Sequence, residues 1–185
     1  MFLLVDFGSS KAPQIAETLR SLGYGCDTIK HEDFRYPLQK NYAGIIFSGS
    51  PVMLTEAPHL PFHEKYAPIV REETPILGIC FGHQVLGILH GAEIYRDEHI
   101  KRDEEIELLA DDPLFRGLKK RTVMSQSHTE GITLPRGFIH LAFSLTYPVQ
   151  AMKHPGKMIY GVQFHPEVSG ENGRILLDNF CRLCG

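Results

Sequence analysis

Two short stretches of the chain hold the residue types from which a nucleophile, a base and an orienting carboxylate are made. The first is Pro75-Ile-Leu-Gly-Ile-Cys-Phe-Gly-His-Gln84, where an apolar run passes through G-x-C-x-G into a helical pattern. This is the spacing of a nucleophile elbow, with cysteine in place of serine. Gly78 and Gly82 leave the backbone room to turn sharply and hold the Cys80 side chain out at the strand's end. The helix that follows would present free N–H groups and a positive dipole end, which favour a thiolate and can hold an oxyanion. The second stretch, Ile159-Tyr-Gly-Val-Gln-Phe-His-Pro-Glu-Val168, runs an apolar strand into His165, Pro166 and Glu167. Extended backbone puts residues two apart on one side, so the imidazole and the carboxylate can meet. The carboxylate would fix the ring tautomer while the other ring nitrogen takes a thiol proton. Taken singly, Cys80 also reads as a buried structural cysteine and His-Pro-Glu as a solvated turn at a strand end. Together they point to acyl transfer.

Other reactive-looking residues carry less. Cys181-x-x-Cys184 on a terminal helix would need a second pair to make a zinc site, and none exists, so two cysteines on a packed helix face is the expectation and no metal is expected. Gly8-Ser-Ser10 is too short for a dinucleotide fingerprint. The charged run Arg96 to Glu105 reads as a solvated loop or strand edge, with partner contact as the alternative, and His128 as a hydrogen-bonding residue lining the site.

The elements that must position these groups follow from periodicity. Phe2 to Val5, Cys26 to Lys30, Gly44 to Ser48 and Pro75 to Ile79 read as short strands, alternating with helical patterns over Pro13 to Leu22 and Phe62 to Arg71. That alternation predicts an α/β fold with a doubly wound, mostly parallel open sheet, whose carboxyl edge is the expected site of ligands. Beyond Ala92 the strand-like runs Ile106 to Leu109, Arg121 to Met124, Phe138 to Phe143, Val149 to Lys153 and Met158 to Gln163 predict additional antiparallel strands. A last amphipathic pattern, Gly173 to Leu183, would cover the sheet. With 185 residues the expectation is a single domain over 1–185. A net charge of −3 and 43% hydrophobic residues advertise neither a nucleic-acid nor a membrane surface. MFLLVDFG meets Asp6 too early for a signal peptide, and four sparse cysteines favour a reducing compartment, so a cytoplasmic location is expected.

Gly78-Ile-Cys-Phe-Gly-His-Gln84 and Tyr160-Gly-Val-Gln-Phe-His-Pro-Glu-Val168, joined by Ile45-Ile-Phe-Ser-Gly-Ser-Pro51 and Ser127-His128 in the same order, resemble the class I glutamine amidotransferases over nearly the whole chain. The resemblance implies a flavodoxin-like fold and a catalytic triad of Cys80, His165 and Glu167. It implies an oxyanion hole from the main-chain N–H groups of Ser50 and Phe81, donors worth about 3 to 4 kcal/mol each in a transition state. Gly49, Gln84, Ser127, His128 and Thr129 would grip glutamine. Ala151-Met-Lys-His154 and Ser127-His-Thr-Glu130 lean toward the stand-alone amidotransferase subunits of GMP synthases. No cofactor is then expected in this chain, with ATP and Mg²⁺ on a partner synthetase. Anthranilate and aminodeoxychorismate synthase subunits, a γ-glutamyl hydrolase and a silent interaction module of the same fold are the alternatives. Three departures stand out. Ser50 replaces a family glycine and would be strained if that site needed positive φ. Val5-Asp-Phe-Gly-Ser-Ser10 lacks the glutamine and aromatic residue that usually follow, and Arg96 to Glu105 lacks a glycine-bearing turn.

Overall fold

The computed structural model of the chain describes residues 1–185. Nine strands form one sheet, in which β1 (Phe2–Asp6), β2 (Cys26–Lys30), β3 (Gly44–Phe47), β4 (Ile76–Ile79) and β9 (Ile159–Val162) run parallel. From β9 outward the pairing turns antiparallel through β8 (Ala151–Lys153), β7 (Ile139–Phe143), β5 (Ile94–Leu108) and β6 (Arg121–Ile132). The full order is β2-β1-β3-β4-β9-β8-β7-β5-β6, the parallel sheet with antiparallel additions that the apolar runs predict.

Alternation along each buried strand divides the core in two. Phe2, Leu4, Ile46 and Leu77 face α1 (Ala12–Ser21) and α4 (Gly170–Leu183), meeting Ile15, Leu19, Leu176 and Phe180. Leu3, Val5, Ile45 and Phe47 face the other way, onto Ile69 of α2 (Leu60–Arg71) and Val85 and Leu86 of α3 (Phe81–Leu89). Helix α1 buries Ala12, Ile15, Ala16 and Leu19, a stripe at three- and four-residue spacing, and the chain leaves it through Gly23 at φ +90. Helix α3 has buried side chains all round, because it lies between α2 and the sheet. No helix is long and apolar enough to cross a membrane.

For the charged run the structure chooses between the two readings. Arg96 to Glu105 is no loop but the middle of β5, paired along β6 from Ile94 opposite Ile132 to Glu107 opposite Arg121, and because β7 reaches only Glu107 and Leu108 the run has a strand on one side only, as the strand-edge reading expects. Ile100, Ile106 and Leu108 point into the core; Glu105 and Glu107 lie on the outer face, answered by Arg121 at 3.9 Å and Lys120 at 3.3 Å, while Arg102 and Glu104 share the inner parity and pair with each other at 3.6 Å. Backbone pairing with a distant strand overrides the low strand propensity of Asp, Glu and Lys. Strand β6 likewise continues past Met124 to Ile132 and so carries Ser127, His128 and Thr129 on a sheet strand.

Candidate active site

Cys80 lies between the last residue of β4 and the first of α3 at φ 51, ψ −103, and it is the only non-glycine residue with positive φ. The turn is held by Cys80 N–H donating to Val162 O at 2.8 Å and Gly82 N–H donating to Ser48 O at 3.0 Å, which anchor it to the ends of β9 and β3. It also needs both flanking glycines. A β-carbon on Gly78 would come within 2.7 Å of His83 N, and one on Gly82 would collide with the Phe47 carbonyl. A strained residue over-determined by its surroundings is what an elbow requires.

His165 follows β9, buried, with its N–H donating to Ser125 O at 2.8 Å. Glu167 Oε1 lies 2.7 Å from His165 Nδ1, and the Glu167 side chain is wholly enclosed, its Oε2 having no partner. The backbone that joins them is not extended, as the strand-like run predicts, but a 3-10 turn over Pro166–Val168. The turn is seated on α4, where Gly173 packs so closely on the Pro166 carbonyl that a side chain there would collide. His165 and Cys80 converge on Gly49: a β-carbon at that position would sit 3.1 Å from His165 Cε1 and 3.8 Å from Cys80 Cβ. Burial opposes a charged His165, yet the charge and hydrogen bond of Cys80, together with Glu167, raise its pKa to about 10.

Cys80 opens into a cleft of about 180 Å³ shared with Ser50, Phe81, Gln84, Ser127, His128 and Thr129. Gly49 lies beneath it and does not line it. The main-chain N–H groups of Ser50 and Phe81 make no hydrogen bond within the chain. Ser50 is not among the positive-φ residues, so the strain feared for a serine there does not arise, and its Oγ accepts from Val52 N–H at 3.1 Å. Gln84 spends its amide hydrogens on Glu130 O at 2.9 Å and Gln163 Oε1 at 3.2 Å. Burial lowers the His128 pKa to about 4, so the ring is neutral; Nδ1 lies 3.0 Å from Glu130 O and Nε2 3.0 Å from Gln126 Oε1, and the single N–H donates to one of the two.

Three residues have places in the site that the sequence did not assign to them. Gln163, fully buried, donates through Nε2 to Cys80 Sγ at 3.7 Å. Glu130 accepts from the Leu54 and Thr55 N–H groups at 2.8 Å each and from the Thr55 hydroxyl, pinning the loop after β3 against β6. His99 stands at the rim with Nδ1 3.0 Å from Thr129 Oγ1. Parity could have found the first two: Gln163 shares its strand side with His165, and Glu130 with His128 and Gln126. Cys181 and Cys184 lie at the far edge of the sheet, where burial pushes Cys184 up to about 12 and Cys181 higher still.

A strained cysteine at the carboxyl edge of a parallel sheet, faced by an imidazole that a carboxylate holds, is accompanied by similarity along the chain. Residues 3–183 match the family described as "Glutamine amidotransferase class-I", and the chain belongs to that family. Within it, the glutamine-hydrolysing GMP synthase subunit of Pyrococcus abyssi is 38% identical over 192 residues, covering 100% of this chain and 99% of that protein. The protein of the same description from Methanosarcina barkeri is 43% identical over 145 residues, 76% of this chain and 73% of that one. A solved structure from Thermoplasma acidophilum, assigned provisionally to the same kind of GMP synthase subunit, superposes with a TM-score of 0.89 at 27% identity, covering 99% of this chain and 92% of that one.

Proposed function

We propose that the chain is the glutamine-hydrolysing subunit of a GMP synthase, releasing ammonia from L-glutamine for a separate synthetase. The observation that carries the reaction is the convergence, at one cleft, of Cys80, the His165–Glu167 pair and two unbonded main-chain N–H groups. The names of the relatives support the acceptor.

In this reading Cys80 Sγ attacks the γ-carbonyl carbon of glutamine, and the carbonyl oxygen takes negative charge between the Ser50 and Phe81 N–H groups. Collapse breaks the C–N bond while His165 gives its proton to the departing nitrogen, leaving a γ-glutamyl thioester and ammonia. A water molecule then loses a proton to His165 and attacks the thioester, and the sulfur leaves with glutamate as product. Glu167 holds the ring through Nδ1 and stabilises the imidazolium. Gly49, by lacking a side chain, keeps the space between nucleophile and base open. Gln84 and the 127–129 segment line the part of the cleft where the amino-acid end of glutamine would lie. ATP and Mg²⁺ belong to the synthetase, which activates xanthosine monophosphate, and the pair works in the cytoplasm, where four free cysteines persist.

The test mixes the chain with the synthetase of the same cell, ATP, Mg²⁺, xanthosine monophosphate and glutamine, and follows GMP and glutamate together. Cys80→Ala should stop glutamine-dependent GMP formation, and ammonium salts should restore it. Glutamate release that supports chorismate amination with a different synthase, and no GMP, would refute the acceptor and leave the amidotransferase chemistry standing.

A further inference from the structure

Glutamine brings three polar ends to the cleft; the chemistry uses the γ-amide, and the amino-acid end lies along Gln84 and residues 127–129. Its α-carboxylate needs a donor. Few side chains in the cleft could supply one. Both oxygens of Glu130 are occupied by Leu54 and Thr55, and a carboxylate would in any case repel the group. Both ring nitrogens of His128 face acceptor oxygens of the chain, Glu130 O and Gln126 Oε1, and its one N–H is used there. Gln84 has spent both amide hydrogens. The two arginines of β5 are engaged elsewhere, Arg96 with Glu56 at 2.8 Å and Arg102 with Glu98 and Glu104 at 3.6 Å each. His99 remains. It lines the cleft, its Nδ1 meets the Thr129 hydroxyl, and its Nε2 has no partner in the chain. The Thr129 hydroxyl can donate or accept, so the contact is compatible with the tautomer that carries hydrogen on Nε2, which can donate without any charge on the ring.

The backbone is built to present this side chain. The β5–β6 register slips between Arg96, opposite Glu130, and Ile100, opposite His128, so two extra residues are accommodated on β5. This bulge stands where the resemblance leads one to expect a glycine-bearing turn. It is braced by Tyr147, whose hydroxyl lies 2.8 Å from Glu98 O and 2.7 Å from Thr129 O, and by Glu98 N–H donating to Asp97 Oδ1 at 2.8 Å. Bulges beside active sites commonly re-aim a side chain. We infer that His99 is a specificity-determining residue that donates a hydrogen bond to the α-carboxylate of glutamine, an inference that rests on the glutaminase reading of the same cleft.

The test compares wild type, His99→Ala and His99→Gln on L-glutamine and on its α-amide, in which the carboxylate becomes a neutral carboxamide, with the synthetase present. His99 is exposed, so substitution should leave the fold intact. His99→Ala should raise KM for glutamine about tenfold, the lower end for a hydrogen bond to a charged group at an exposed rim, with kcat within about twofold. Preference for glutamine over the α-amide should shrink by a similar factor, and His99→Gln, which keeps a donor, should recover most of both. The glutamine Kd in a Cys80→Ala background should weaken in step. An unchanged KM, Kd and preference, or a loss confined to kcat, overturns the assignment of His99 while leaving glutamine hydrolysis in place. Absence of glutamine hydrolysis in the wild-type chain overturns both.

Discussion

At the scale of single residues, the proposed chemistry ranks the side chains by what each would do to a proton. Cys80→Ala and His165→Ala should each lower glutamine turnover by about 10⁴-fold or more, because neither leaves another group to take over the step. Glu167→Gln should keep more activity, since the carboxylate orients the base and moves no proton; equal, mild losses for all three in a steady-state assay would show the roles to be misassigned. The raised pKa of His165 gives a second test. A folded-state value near 10, against an unfolded value of about 6.5, means that the stability from this pair is fully present below pH 6.5. It drains away as the pH climbs from there through about 10. Cys80→Ala removes the sulfur's share, so NMR titration of the His165 ring should move to a lower midpoint in that variant, and its stability relative to wild type should improve as pH rises. Ser50→Gly should leave turnover equal or higher, because the proposed donor is the main-chain N–H and Ser50 is unstrained. A loss above about a hundredfold would implicate the hydroxyl.

At the scale of elements, two junctions hold the site together. Glu130 on β6 ties down Leu54 and Thr55, and through them the segment that begins at Ser50. Glu130→Gln should exchange charge-assisted acceptors for weaker ones and cost about 2 kcal/mol, read as a lower denaturant midpoint and as faster amide hydrogen exchange at Leu54 and Thr55. The second junction is α4 against the turn that carries Glu167. Gly173→Ala places a methyl group into the Pro166 carbonyl, and overpacking of that kind costs about 1 to 3 kcal/mol. Thermal unfolding should record that cost, and activity should fall further than stability alone explains because the His165–Glu167 turn is displaced. The elements also mark what could be read from sequence. Strands β1 to β4 and helices α1 and α2 were legible because their apolar periods are local. Strand β5 was legible at its Ile106–Leu108 end but not in its full length, because Arg96 to Glu105 is held as a strand only through its pairing with β6.

At the scale of the whole molecule, the same divide governs the site. Cys80, His165 and Glu167 could be recognised because each sits in a short motif. His99 could not, because its place in the cleft depends on a register slip against a strand some thirty residues further on. The sheet order carries a consequence of its own. Nucleophile and base stand at the ends of β4 and β9, which are adjacent and in register, Gly78 beside Gly161 and Ile79 beside Val162. The spacing of neighbouring strands, about 4.8 Å, therefore brings the two segments together, and the short stretch from Val162 to His165, tied by the His165 N–H to Ser125 O, completes the approach. Yet those neighbours are made far apart in time. At about 5 to 20 residues per second, roughly 80 residues of synthesis, or about 4 to 16 s, pass between the emergence of β4 and that of β9 from the ribosome. Throughout that interval the nascent chain carries its cysteine beside an empty slot in the sheet, and it acquires a base only when the strand bearing one slides in. The last strand to enter the parallel sheet thus works as a safety catch: a ribosome that stalls before β9 leaves behind a chain with its thiol unarmed.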